Sequence, residues 1–158
     1  MSYQEVDGNL IKLAVEGEFD VIAHGCNCFC TMGAGIAPQF AKYFNADKFS
    51  YETPSQKGNY NKMGCIDAQV EKRYKREFTV VNAYTQYSTG ATFGGIPLDY
   101  DALTLCLRKI NKVFAGKSIG LPKIGCGLAG GNWEIVKALI KKELSSMDVT
   151  IVVFNPQS

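Results

Sequence analysis

The segment Gly120-Leu121-Pro122-Lys123-Ile124-Gly125-Cys126-Gly127-Leu128-Ala129-Gly130-Gly131-Asn132-Trp133 constrains this chain more than any other. Apolar residues lead into it, four glycines fall within seven positions from Gly125 to Gly131, and an amphipathic pattern follows. Glycine accepts positive φ and lets backbone N–H groups approach a ligand closely. A glycine loop that opens into a helix aims those donors, together with the positive end of the helix, at a point where an anion can sit. A second, shorter loop, Met32-Gly33-Ala34-Gly35-Ile36-Ala37, also leads into a helical pattern. Read alone it is either an anion loop or a tight turn that needs glycine. Two such cradles in a chain of 158 residues point to a ligand with two phosphates. Neither loop carries the Gly-Lys-Ser/Thr of a nucleotide-triphosphate loop, and neither is a G-x-G-x-x-G dinucleotide fingerprint.

The rest of the chain alternates between strand and helix patterns. Strands are expected at Tyr3–Val6, Asp20–His24, Cys65–Lys72, Glu77–Tyr84, Ser118–Leu121 and Val149–Phe154. Helices are expected at Leu10–Val15 behind an Asn9 cap, at Gly33–Phe44 with Pro38 in its first turn, at Asp99–Phe114, and at Trp133–Leu144 behind Asn132. Asn45–Asn61 and Thr85–Pro97 read as loops. The alternation predicts one α/β domain over 1–158, with three α/β/α layers around a central mixed sheet. Ligands of such sheets bind beyond the carboxyl ends of the strands. Both glycine loops follow such an end, so the two cradles are expected to face one crevice.

A net charge of +2 gives no electrostatic case for nucleic acid by itself. The one dense basic run, Lys72, Arg73, Lys75 and Arg76, fits a solvated hairpin tip. Met1–Gly8 is too polar for a signal peptide, and no apolar run reaches membrane-spanning length. A cytoplasmic location with no membrane partner is therefore expected, with the six cysteines as free thiols. Cys26, Cys28 and Cys30 alternate behind His24 without the paired spacing of a zinc site, so small buried side chains are preferred to a metal, and no cofactor is expected.

A few side chains could carry chemistry. His24 is the single histidine. It is either a general acid or base, with its ordinary pKa in the useful range, or a packed histidine at a strand end. Asn27 offers an amide that can both accept from and donate to a pair of sugar hydroxyls, or it is a turn residue. Phe154, followed by Asn155, can stack on a base or pack in the core. Asp99 is most simply a helix cap.

The segments Val6-Asp7-Gly8-Asn9-Leu10, His24-Gly25-Cys26-Asn27 through Ala37, and Leu121-Pro122-Lys123-Ile124-Gly125-Cys126-Gly127-Leu128 through Trp133 resemble a macrodomain, the ADP-ribose-binding α/β/α module. The resemblance covers essentially the whole chain. It is closest to the branch of ADP-ribose 1″-phosphate phosphatases and the terminal ADP-ribose protein glycohydrolase. It implies that Gly33, Ala34, Gly35 and Ile36, flanked by Met32 and Ala37, hold one phosphate beside the distal ribose. It implies that Pro122, Ile124, Gly125, Cys126, Gly127, Leu128, Ala129 and Gly130 wrap the diphosphate. Asn27 would lie beside the distal ribose, Gly8, Asn9 and Leu10 at the adenine, and Phe154 with Asn155 at the stacking position. Asn9 replaces an aspartate that reads the adenine amino group in many members, which keeps an acceptor and loses the charge.

The glutamate-specific glycohydrolase uses a lysine after the hairpin strand and an aspartate in the second glycine loop. Here the first region reads Asn82-Ala83-Tyr84-Thr85-Gln86 and the loop position is Ala129, which points away from a lysine adduct. His24 matches a histidine of the phosphatase members. The expected reaction is therefore hydrolysis of ADP-ribose 1″-phosphate to ADP-ribose and phosphate, with His24, Asn27 and Asp99 as the catalytic set. The alternatives are removal of ADP-ribose from protein, nucleic acid or an acetyl ester, and non-catalytic binding of ADP-ribose or of ADP-ribosylated macromolecules.

Overall fold

The computed structural model describes residues 1–33, 35–49, 57–88 and 95–157. Six strands, β1 (Tyr3–Gly8), β2 (Val21–Asn27), β3 (Ile66–Glu71), β4 (Phe78–Gln86), β5 (Ser118–Leu121) and β6 (Asp148–Phe154), form one sheet in the order β1-β6-β5-β2-β4-β3. Neighbouring strands are parallel except for the β3–β4 hairpin, so the sheet is mixed. The helices are α1 (Leu10–Val15), α2 (Ala37–Phe44), α3 (Ala46–Phe49), α4 (Tyr100–Val113) and α5 (Trp133–Glu143).

Period-two alternation sends successive strand residues to opposite faces. On one face Val21, Ala23, Val81, Ala83, Ile119, Leu121, Val149 and Ile151 pack beneath α4 and α5, through Leu103, Leu107, Ile110, Val136 and Ile140. On the other face Ile22, Phe78, Val80 and Val152 meet Leu10, Ile11 and Ala14 of α1 and Phe40 and Phe44 of α2. A sheet covered on both faces explains why β2 and β6 read as continuous apolar runs. Each fully buried leucine or isoleucine in these layers contributes roughly 1.5–3 kcal/mol. Among the described residues no helix is long and apolar enough to cross a membrane. All six cysteines are free thiols.

The structure changes several boundaries. β2 runs on to Asn27 instead of ending at His24, because Gly25, Cys26 and Asn27 keep pairing with Ala83, Tyr84 and Gln86 of β4. β4 accordingly extends to Gln86. α2 starts at Ala37 and not at Gly33, since Gly35 takes φ +64°, which no right-handed helix accommodates. The polar stretch after α2 holds the short α3 and a 3₁₀ turn at Tyr60–Lys62. Three expected caps are in place. Asn9 Oδ1 accepts from Lys12 N, Asp99 Oδ1 from Ala102 N and Asn132 Oδ1 from Glu134 N.

Candidate functional site

The two glycine loops meet over the carboxyl ends of β2 and β5 and enclose a cleft of about 390 Å³, in the size range of small-molecule sites. Its wall includes Asn27, Met32, Gly33, Gly35, Ile36 and Ala37 from the first loop, and Pro122, Ile124, Gly125, Gly127, Leu128 and Ala129 from the second. The one-crevice expectation therefore holds for the described residues. Ala34 lies outside them.

The second loop is folded tightly on itself. Gly131 N donates to Gly125 O at 2.7 Å, Gly130 N to Gly127 O at 3.0 Å, and Leu98 N to Ala129 O at 3.1 Å. Gly125 and Gly130 sit at φ +74° and +76°, where a side chain would be strained. These internal bonds use few of the loop's donors. Among the described residues, the N–H groups of Gly125, Gly127, Leu128 and Ala129 have no hydrogen-bond acceptor, which leaves a row of dipoles along the cleft. On the opposite side α2 begins with no side-chain cap and with proline in its first turn, so its positive end faces the same space. Lys123 adds the one formal charge among the described wall residues, its Nζ 5.5 Å from the Trp133 ring centre. No carboxylate and no histidine lies among them. The arrangement is suited to binding an extended anion.

Asn27 is in the wall, but its amide is committed to the loop. Oδ1 accepts from Phe29 N at 3.0 Å and Thr31 N at 3.2 Å, and Nδ2 donates to Thr31 O at 3.2 Å. It shapes the first loop, as the turn reading anticipated. Gly8 and Phe154 are register partners at the ends of β1 and β6, and Asn155 N closes onto Gly8 O at 2.9 Å. Phe154 is 65% exposed, open to a stacking partner rather than packed in the core. These residues, with Asn9, lie beyond the cleft wall at the β6 end of the sheet. Leu10 is buried beneath the sheet, and Cys126 turns its thiol onto Ile124 O.

His24 and Asp99 do not join the wall. His24 is fully buried on the α2 face of β2, stacked on Phe40 with ring centres 4.0 Å apart. Asn82 Nδ2 donates to Ala46 O, which fixes Asn82 Oδ1 as the acceptor for His24 Nε2–H at 2.5 Å. Burial depresses the imidazole pKa to about 4, against a weaker upward pull from the Asn82 bond, so the ring is neutral at pH 7. A neutral ring without access to the cleft cannot exchange protons with a ligand there. Its alternation with Ile22 explains this, since residues two apart share a sheet face. Asp99 is spent on its cap, far from acting as an orienter of His24. Asp99→Ala should lower unfolding free energy by about 1 kcal/mol in urea titration and leave ligand affinity in calorimetry within twofold. Loss of affinity with the stability intact would return Asp99 to the site.

Gly25, Cys26, Cys30, Thr31, Thr85, Gln86 and Lys123 also line the cleft and were not among the residues expected to bind the ligand. Thr85 and Gln86 close the carboxyl end of a strand, the place where α/β ligands bind, and that position is the signal that could have found them. Thr85 and Gln86, from the region that lacks the glycohydrolase lysine, and Ala129, at the position of its aspartate, all lie on the wall.

A family model described as Macro domain matches residues 23–140. An uncharacterized 17.5 kDa protein of Enterobacteria phage T4, from the tk-vs intergenic region, is 32% identical over 164 residues, covering 99% of each chain. The ADP-ribose glycohydrolase OARD1 of Homo sapiens is 29% identical over 136 residues, covering 85% of this chain and 81% of its own. Among solved structures, DarTG of Thermosipho africanus in complex with ADP-ribose superposes with a TM-score of 0.75 at 15% identity, over 100% of this chain and 43% of that one, a likeness of fold. With a family model spanning most of its length and a relative aligned along nearly all of it, this chain belongs to the Macro domain family.

Proposed function

We propose that this protein binds ADP-ribose in the cleft and hydrolyses ADP-ribose 1″-phosphate to ADP-ribose and phosphate. The diphosphate lies across the two glycine loops, where unused N–H groups and the start of α2 meet it. The adenine lies toward the β6 end, against Phe154. The relationship to a protein named an ADP-ribose glycohydrolase supports both the ligand and the hydrolytic class. The observation that carries the substrate choice is the absence of carboxylates among the described wall residues. A ligand with an additional phosphate brings more negative charge than ADP-ribose, and an acidic wall would repel it. The region compared with the glycohydrolase lysine, Asn82 to Gln86, contains no lysine, and the loop position of its aspartate is Ala129, which leaves neither a cation there to form an adduct nor an acid to assist it. In the reaction a water oxygen bonds to phosphorus, the bond from phosphorus to the anomeric oxygen breaks, a proton of the water passes to that oxygen to give the 1″-hydroxyl of ADP-ribose, and inorganic phosphate is released, with backbone dipoles stabilising the charge on the phosphoryl oxygens.

The same wall favours one other reading. Among its described residues it holds no ordinary general base, as expected of a module that binds ADP-ribose, free or attached to a macromolecule, without turnover. Calorimetric titration with ADP-ribose followed by a phosphate-release assay separates the two. We expect one-to-one binding with a Kd in the micromolar range, about −8 kcal/mol, and phosphate release from the 1″-phosphate. Binding without release would leave the binding module. No heat with ADP-ribose would remove both readings.

A further inference from the structure

Thr85 is fully buried in the floor of the cleft, and its Oγ1 has no hydrogen-bond partner. Its backbone is tied down, since Thr85 O accepts from Asp99 N at 2.9 Å. The hydroxyl sits over Gly25 of β2. A Cβ built on Gly25 would lie 2.9 Å from Thr85 Oγ1 and 3.3 Å from Ile124 Cγ1. Glycine at 25 therefore leaves the space that a hydroxyl at 85 needs. A buried hydroxyl is rarely left without a partner, and Thr85 is one of the residues that line the cleft.

Sheet order says which part of a ligand reaches it. Along the carboxyl edge, β6 with exposed Phe154 comes first, then the glycine loops after β5 and β2, then β4 with Thr85 and Gln86. An aromatic group stacked at β6 and a diphosphate over the loops put whatever follows the diphosphate over β4.

We propose that Thr85 is a specificity-determining residue whose hydroxyl, in the space left by Gly25, bonds a hydroxyl of the sugar beyond the diphosphate. It thereby separates nucleoside diphosphates that carry such a sugar from those that end at the second phosphate. This rests on the ADP-ribose reading above and identifies a residue for it.

The test is calorimetry of the full chain with ADP and with ADP-ribose, for wild type, Thr85→Val and Thr85→Ser. Thr85→Val should bind ADP-ribose about tenfold more weakly, the worth of one hydrogen bond, and bind ADP within twofold of wild type. Thr85→Ser should stay within about threefold of wild type for both ligands, because its hydroxyl is retained. The melting temperature of unliganded Thr85→Val should be unchanged or higher, since no internal bond is lost. An equal loss for both ligands, no loss for ADP-ribose, or a lower melting temperature in Thr85→Val would overturn the assignment. A wild type that binds ADP and gains nothing from the added sugar would overturn this subsite alone. A wild type that binds neither ligand would overturn it together with the ADP-ribose reading.

Discussion

Gly131→Ala should weaken ADP-ribose binding about a hundredfold, the scale expected when a positioned group moves by about 1 Å. The added Cβ would stand 2.5 Å from the carbonyl oxygen of Gly125 and 2.5 Å from Leu98 Cδ2. The leucine terminus can rotate away. The carbonyl cannot, because it accepts the 2.7 Å bond from Gly131 N that closes the loop. Either that bond breaks or the whole turn opens, and both move the row of N–H groups from Gly125 to Ala129. Overpacking of this kind should also cost about 1–3 kcal/mol of stability. Gly127→Ala is the control for stability, since a Cβ there meets nothing within 4 Å, and urea titration should find it within about 0.5 kcal/mol of wild type. Calorimetry that found Gly131→Ala binding within threefold of wild type would show that the loop's closed geometry does not matter to the ligand.

The second large effect is acid destabilisation through His24. The folded protein holds this ring neutral, with a pKa of about 4 in place of 6.5. Between those values the unfolded chain binds the proton and the folded one does not, so stability rises with pH. The contribution is complete above 6.5, falls as pH drops below it, and is fully lost near pH 4. At 1.36 kcal/mol per pH unit the loss is roughly 2 kcal/mol by pH 5 and about 3 kcal/mol near pH 4. Asp20 and Glu71 have lowered pKa values, from the backbone N–H of Ser118 and the Arg73 guanidinium respectively. They lose stability in the same direction, but below their own ordinary values of 3.8 and 4.5. The interval from pH 7 to pH 5 therefore belongs to the histidine.

His24→Leu should flatten the urea midpoint across that interval. It should also cost about 1–3 kcal/mol at pH 7, because Asn82 Oδ1 loses its donor. Phosphate release per folded molecule should stay within twofold of wild type at pH 7. A folded His24→Leu that released no phosphate would put the ring back into the reaction, against its burial.

The contrast between His24 and the glycine loops marks how far the sequence could be read. The loops were legible because their chemistry is local. Glycine at φ +74° and +76°, turn closure over a few residues, and a helix start directly behind are all encoded within a dozen positions. The caps by Asn9, Asp99 and Asn132 were legible for the same reason, since each bonds within three residues of itself. His24 carried a clue in its spacing from Ile22, but which face α2 would cover depended on Phe40 arriving from another element. Its resemblance to a catalytic histidine concerned residue type, while access to the cleft depends on which way the strand faces.

The sequence by itself determined the order of strands and helices and the two glycine loops, because these follow from nearest-neighbour sterics and short-range hydrogen bonds. Only the tertiary structure decided which side chains line the cleft. Pairing of Asn27 with Gln86 carried β2 and β4 past their expected ends and brought Thr85 beneath the loop that begins at Gly125. That pairing joins residues far apart in the chain, so no local pattern around Thr85 distinguishes a strand-end hydroxyl in solvent from one in the floor of a cleft.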